Sequence, residues 1–199
     1  MSIYTIFLFL HVSGAIGYFI GMGTWLFGPA ALRRAQRVEQ VRTLTHLAGG
    51  VGPLLGISVL LILVTGLYMA ITAWGFQTGW ILVALVSLIL IAPLGTAFIE
   101  PRRRAIARLA REAPDGPLPQ ALEQCIHDPI LGTALQTVTI LLLGIVFLMT
   151  NKPSLIVSLI VMGVALVLGL ASGALVSRAT RTREKHVATP VDRMREPVR

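Results

Sequence analysis

Apolar residues fall in five long blocks along this chain, and no acidic or basic residue interrupts any of them near its middle. A helix needs about 20 apolar residues to cross a hydrocarbon layer roughly 30 Å thick. The blocks reach that length over residues 4–28, 49–73, 78–99, 130–151 and 154–176. The pattern predicts an all-α polytopic membrane protein: a bundle of five spanning helices over residues 1–177, followed by a basic tail over 178–199.

The polar stretches between blocks carry their own signals. After Pro101, the residues Ile106, Leu109 and Ala110 recur at helical spacing among arginines, so the third span is expected to continue as an interfacial helix. The run Ala113-Pro114-Asp115-Gly116-Pro117 should stop it. Leu118, Leu122, Cys125 and Ile126 then share a face of a short helix, and Asp128-Pro129 has the form of an N-cap and first helical position for the fourth span. The tail beyond Thr180 is polar, charged and dotted with proline, a composition expected to lack fixed structure.

Composition agrees with the blocks. Of 199 residues, 55% are hydrophobic and only 13% charged, with a mean hydropathy of +0.79. That excess belongs in lipid. The net charge of +8 changes the picture through its placement. Arg33, Arg34, Arg37 and Arg42 follow the first span, Arg102, Arg103, Arg104, Arg108 and Arg111 the third, and the remaining arginines with Lys185 the fifth; Lys152 alone lies elsewhere. Cytoplasmic loops hold an excess of Lys and Arg, so the N-terminus is expected outside, the C-terminus inside, and the protein in the bacterial cytoplasmic membrane. Basic segments beside spans meet anionic lipid heads, and no aromatic-interleaved basic surface points to nucleic acid. The first span lacks a basic n-region and exceeds a typical signal-peptide core, so it reads as a helix. Cys125 is the single cysteine, which excludes an intramolecular disulfide.

Candidate chemistry is sparse. The spans lack the central charged groups of a proton relay or charge-selective channel. Glu100 is expected to pair with the neighbouring arginines at the span boundary. Phosphate-binding glycine loops, CxxC pairs, HExxH and nucleophile elbows are missing, and Met22, Met69, Met149 and Met162 are scattered as packing residues are.

The histidines are the polar exceptions. His11 lies inside the first span, and its face carries Phe7, Gly14, Ala15, Tyr18, Met22 and Trp25. An imidazole followed by small residues and framed by rings suits the axial ligand of a haem. Glycines equally let two helices pack closely, so a packing histidine bonded to a neighbouring helix fits the same pattern. His46 heads a face continuing through Gly49, Gly50, Pro53 and Ile57. It lies roughly 20 Å from His11 in height at 1.5 Å per residue, too far to share one iron within a subunit. His127, before the fourth span, is a further metal candidate whose competing role is a capping or solvated residue; His186 falls in the tail. Arg103 and Arg104 would pair with haem propionates at the inner boundary.

Leu10-His11-Val12 with the glycines that follow, Thr65-Gly66-Leu67-Tyr68, Gly79-Trp80, Pro101-Arg102-Arg103-Arg104, and Phe147-Leu148-Met149 through Lys152-Pro153 resemble the motifs of a bacterial family of predicted integral membrane proteins of unknown function. The resemblance covers about residues 3–153 and leaves the fifth span outside. The opening helix also resembles the copper-resistance D and protoporphyrinogen-oxidase-like membrane families, whose helix-borne histidines are associated with haem or metal; only His11 carries over. The histidine pattern, strengthened by this resemblance, leads to the expectation of a membrane b-type haem protein with electron transfer or redox chemistry. Its cofactor site would draw on His11, His46, Gly14, Tyr18, Gly50, Arg103 and Arg104. A non-enzymatic scaffold packing through Gly169 and Gly173 against a second copy is the alternative, and a small-solute or metal transporter the third. The redox partner and substrate are not legible.

Overall fold

Ser2 starts the first helix by accepting the Thr5 backbone N–H with its hydroxyl at 3.2 Å, which satisfies one of the donors a helix start leaves open. The computed structural model describes residues 2–192, with side chains described through Leu175. Among the described residues the helices are α1 (Ile3–Leu32), α2 (Val38–Gly50), α3 (Gly52–Met69), α4 (Gly79–Pro93), α5 (Glu100–Glu112), α6 (Gln120–Ile126), α7 (Pro129–Asn151) and α8 (Leu155–Asp192). Five helical stretches are long and apolar enough to cross a membrane. α8 runs as helix through Asp192, into the tail beyond Thr180 that the composition leads one to expect without fixed structure; side chains after Leu175 and residues 193–199 lie outside the described residues.

Two stretches widen from α to π geometry, Ala70–Trp74 after α3 and Leu94–Ile99 between α4 and α5. The second has a local cause. Pro93 and Pro101 flank it, and proline brings no N–H to the i→i−4 ladder. Arg102 Nη1 donates to the Phe98 carbonyl at 3.0 Å, serving an acceptor in that loosened turn. The helix stays continuous through Pro101, as the spacing of Ile106, Leu109 and Ala110 predicts; Ile106 and Ala110 are fully buried. At the other end of the bundle, Gly75 closes the helix after α3 at φ 72°, a left-handed conformation that favours glycine.

α7 is the centre of the packing. It presents Leu131, Leu135, Val138, Leu142 and Leu148 to a core shared with α4, α5 and α8. Asp128 caps it, accepting the Ile130 N–H at 2.9 Å, with Pro129 in the first turn as predicted. Outward-facing Phe9, Ile16, Ile57, Leu90, Ile156 and Val167 are exposed, as lipid-facing side chains are.

Glycines set the two closest helix pairs. On α1, a Cβ at Gly17 would lie 2.7 Å from Ser58 Oγ, and one at Gly21 2.7 Å from Leu55 Cδ2, so α3 lies directly on this face. On α8, Gly169 and Gly173 meet Thr137 and Thr133 of α7, with a Cβ falling 2.8 and 2.7 Å from their Cα atoms. The Thr137 hydroxyl donates back to the Thr133 carbonyl and that of Thr133 to Pro129, which turns both Cγ2 methyls toward the glycines. The small-residue pair expected to serve a second copy is thus engaged inside the chain.

α2 was not expected as a separate element. Val38 and Val41 are fully buried against the end of α5, and Val38 N–H donates to the Gly116 carbonyl at 3.0 Å. Arg42 ties the same helices, donating to the carbonyls of Ala110 and Ala113 and pairing with Asp115 at 2.9 Å. Arg102 pairs with Asp128 at 2.8 Å, and Glu100 takes Arg104 at 2.7 Å and Arg103 at 3.6 Å.

Candidate functional sites

Two places gather residues singled out from the sequence, while His46, Gly50 and His127 lie in neither. The first surrounds His11, where α1 crosses α3. His11 Nδ1 lies 3.0 Å from the Ile62 carbonyl and 3.2 Å from the Thr65 hydroxyl oxygen. A carbonyl only accepts, so Nδ1 carries the hydrogen. The Thr65 hydroxyl donates back to the Leu61 carbonyl at 2.6 Å, which fixes its oxygen. Among the described residues no hydrogen bond engages Nε2. Carbonyl-bound Nδ1–H with unengaged Nε2 is the arrangement that orients a ligating imidazole.

Gly66 is what lets the ring lie there. A Cβ at this position would sit 2.9 Å from His11 Cε1. Phe7, one turn before His11, stacks on Tyr68 of α3 with ring centres 3.8 Å apart, sealing the crossing on one side. Gly14, Gly17 and Gly21 after His11 do not leave an open slot: a Cβ at Gly14 would meet Ile62 and the Ser58 carbonyl at 3.1 and 3.2 Å. Their face belongs to α3. Tyr18 packs instead against the central core.

The second place lies at the arginine-rich end. α1, α2, α5 and α7 enclose a cavity of about 570 Å³. Arg103 enters it with its guanidinium 3.7 Å over the Trp25 ring and Nη2 donating to the Ala48 carbonyl at 3.1 Å. Trp25 Nε1 donates to the same carbonyl at 3.4 Å. Ala48 is in the last turn of α2, where carbonyls lack intrahelical partners, so two side chains from other helices complete that helix end. Arg104, Arg111 and Glu100 also line the cavity, which has an apolar floor at Leu131 and Leu135.

His46 is exposed and does not line this cavity, although Gly49 does. Open space surrounds Gly50. His127 follows the last turn of α6, its Nδ1 2.9 Å from the Glu123 carbonyl, which is the geometry of a capping histidine. Among the described residues no cluster of three or more His, Cys, Asp or Glu side chains is placed to hold a metal ion. Arg103 and Arg104 are far from His11: Trp25, beneath Arg103, is about four turns along α1 from it, roughly 21 Å at 1.5 Å per residue. Sequence reasoning placed Trp25 on the His11 face but missed its partnership with Arg103. The separate lengths of the two helices carry no signal for it.

Five helices long and apolar enough to cross a membrane, with arginines gathered in the stretches between them, define a multi-pass α-helical membrane protein. A family of predicted integral membrane proteins, DUF2269, matches residues 5–153, and the chain belongs to it. The match ends at the turn before α8, where the sequence resemblance also stops. No curated protein and no solved structure matches the chain.

Proposed function

We propose that this is a multi-pass protein of the bacterial cytoplasmic membrane, its basic end inside, that binds b-type haem through His11 Nε2 and serves electron transfer or related redox chemistry. The supporting observation is the two-point hold on His11 Nδ1, by the Ile62 carbonyl and the Thr65 hydroxyl oxygen, inside an apolar span. It fixes the tautomer and leaves the metal-binding nitrogen unengaged. The donor chemistry fits a haem iron, while the glycine face does not fit a porphyrin, because α3 occupies it. A macrocycle on His11 therefore belongs on the side of the ring turned away from α3, where a second copy of the chain would enclose it. Bound haem supplies one-electron chemistry, with its potential set by ligand and burial. The chain's own residues orient the imidazole, through Ile62 and Thr65, and give it room, through Gly66. Arg103 and Arg104 are too distant to serve this site.

The helix-packing alternative keeps less support, since Gly169 and Gly173 are engaged by α7. The test is the visible spectrum of detergent-purified protein from haem-replete cells. A Soret band that shifts on dithionite should be present in the wild type, persist in His46→Ala and His127→Ala, and be lost in His11→Ala. A colourless wild type, or a His11→Ala protein with an unaltered spectrum, overturns the proposal.

A further inference from the structure

The cavity at the arginine-rich end has the make-up of a site for an anionic amphipath, and it lacks a histidine with which to hold a metal. Three arginines, Arg103, Arg104 and Arg111, and one carboxylate, Glu100, line it, and Glu100 pairs with the first two, which leaves the lining net positive. Arg103 is held in place by Trp25, Ala48 and Glu100, which fixes a positive charge at the cavity wall without further loss of side-chain freedom. Thr24 and Thr45 also line the wall, their hydroxyls bonded back to the Ile20 and Arg42 carbonyls. The volume, about 570 Å³, falls within the range of roughly 300–1,000 Å³ usual for ligand sites.

The rim decides what kind of anion enters. Phe27 and Leu47 line the opening yet are 71% and 62% exposed, an apolar lip beside the cationic interior at the end of the spans. A soluble anion gains nothing from such a lip, whereas an acyl chain does. Arginine forks match phosphate oxygens in geometry as well as charge. We infer that this cavity binds the phosphate headgroup of an anionic membrane lipid, with the phosphate against Arg103, Arg104 and Arg111 and the acyl chains leaving over Phe27 and Leu47. The site is separate from His11, and the inference stands or falls without the haem reading.

The full chain in mild detergent is titrated with dioleoylphosphatidylglycerol, dioleoylphosphatidylcholine and inorganic phosphate, and retained lipid is read by native mass spectrometry. Phosphatidylglycerol should be retained at one molecule per chain in preference to phosphatidylcholine, and inorganic phosphate should not displace it at equal concentration. Arg104→Gln with Arg111→Gln alters exposed side chains and should weaken retention about 25-fold, taking about fivefold for each arginine. Arg37→Gln with Arg108→Gln removes the same charge outside the cavity and should leave retention within about twofold of wild type. Equal retention of the two lipids overturns the inference, as does equal loss in both double variants. Displacement by inorganic phosphate would overturn it too, and would assign the site to a soluble phosphate instead.

Discussion

Arg103 lays its guanidinium 3.7 Å over the Trp25 indole, and both side chains donate to one acceptor, the Ala48 carbonyl. Three helices, α1, α2 and α5, are thereby joined at a single backbone oxygen. The relationship draws at once on a cation–π contact and on a charged donor meeting a helix-end carbonyl, a combination that the planar guanidinium serves with its face and its edge.

Arg103→Ala should therefore cost about 2–3 kcal/mol, combining a desolvated cation–π contact with a charged hydrogen bond. Arg103→Lys should recover less than half of that, because an ammonium has neither the plane nor the fork. Equilibrium unfolding in mixed micelles measures both. A cycle with Trp25→Phe should show coupling of about 1 kcal/mol; strict additivity would mean the stacking contributes nothing.

Glycine substitutions should divide by what lies opposite them. Gly21→Ala places a methyl 2.7 Å from Leu55 Cδ2 and should destabilise by about 1–3 kcal/mol. Gly23→Ala and Gly28→Ala meet nothing within 4 Å and should be neutral or stabilising by up to about 1 kcal/mol. Unfolding midpoints of the three proteins, compared side by side, distinguish a packed α1–α3 face from one that merely holds glycines.

Much of the bundle was legible because lipid demands a long apolar block, and a block's length needs no knowledge of its neighbours. α2 is not legible as an element because Arg37 and Arg42 bracket Val38 and Val41, and two fully buried valines make too short an apolar stripe to stand out from a charged connection. The glycine faces show a different limit. A row of small residues announces that something comes close but not what it is; at Gly14 the occupant is α3, and at Gly173 it is Thr133 of the same chain. His46 reads as a ligand candidate heading a strip of glycines, yet α2 turns it outward, because Val38 and Val41 fix which side of that helix faces the core.

Replacing Cys125 and introducing Thr133→Cys with Gly173→Cys should give a disulfide within one chain once α7 and α8 part by about 1 Å, since a Cβ at 173 lies 2.9 Å from the Thr133 Cβ, closer than the roughly 3.5–4.5 Å a disulfide takes. Non-reducing gels should show a monomer of altered mobility. A dimer band in its place would return these glycines to an interface between copies.

Asp128 serves two partners, the Ile130 N–H as helix cap and Arg102 as counter-ion. Asp128→Asn should keep the cap and lose the ion pair at a cost of about 0.5–1 kcal/mol. Asp128→Ala should lose both and cost about 1–2 kcal/mol. Unfolding of the pair in the presence and absence of high salt separates the two contributions, because only the ionic one is screened.

α8 lies beyond the matched region, and the short turn at Lys152 makes it run antiparallel to α7. Parity follows from that one added helix. A chain cut after Asn151 would finish on the same face of the bilayer as the Trp74–Trp80 pair, whereas one carried through α8 finishes on the opposite face, beside the arginines. A reporter that fluoresces in only one compartment, fused at each of these two points, would light in one fusion and stay dark in the other.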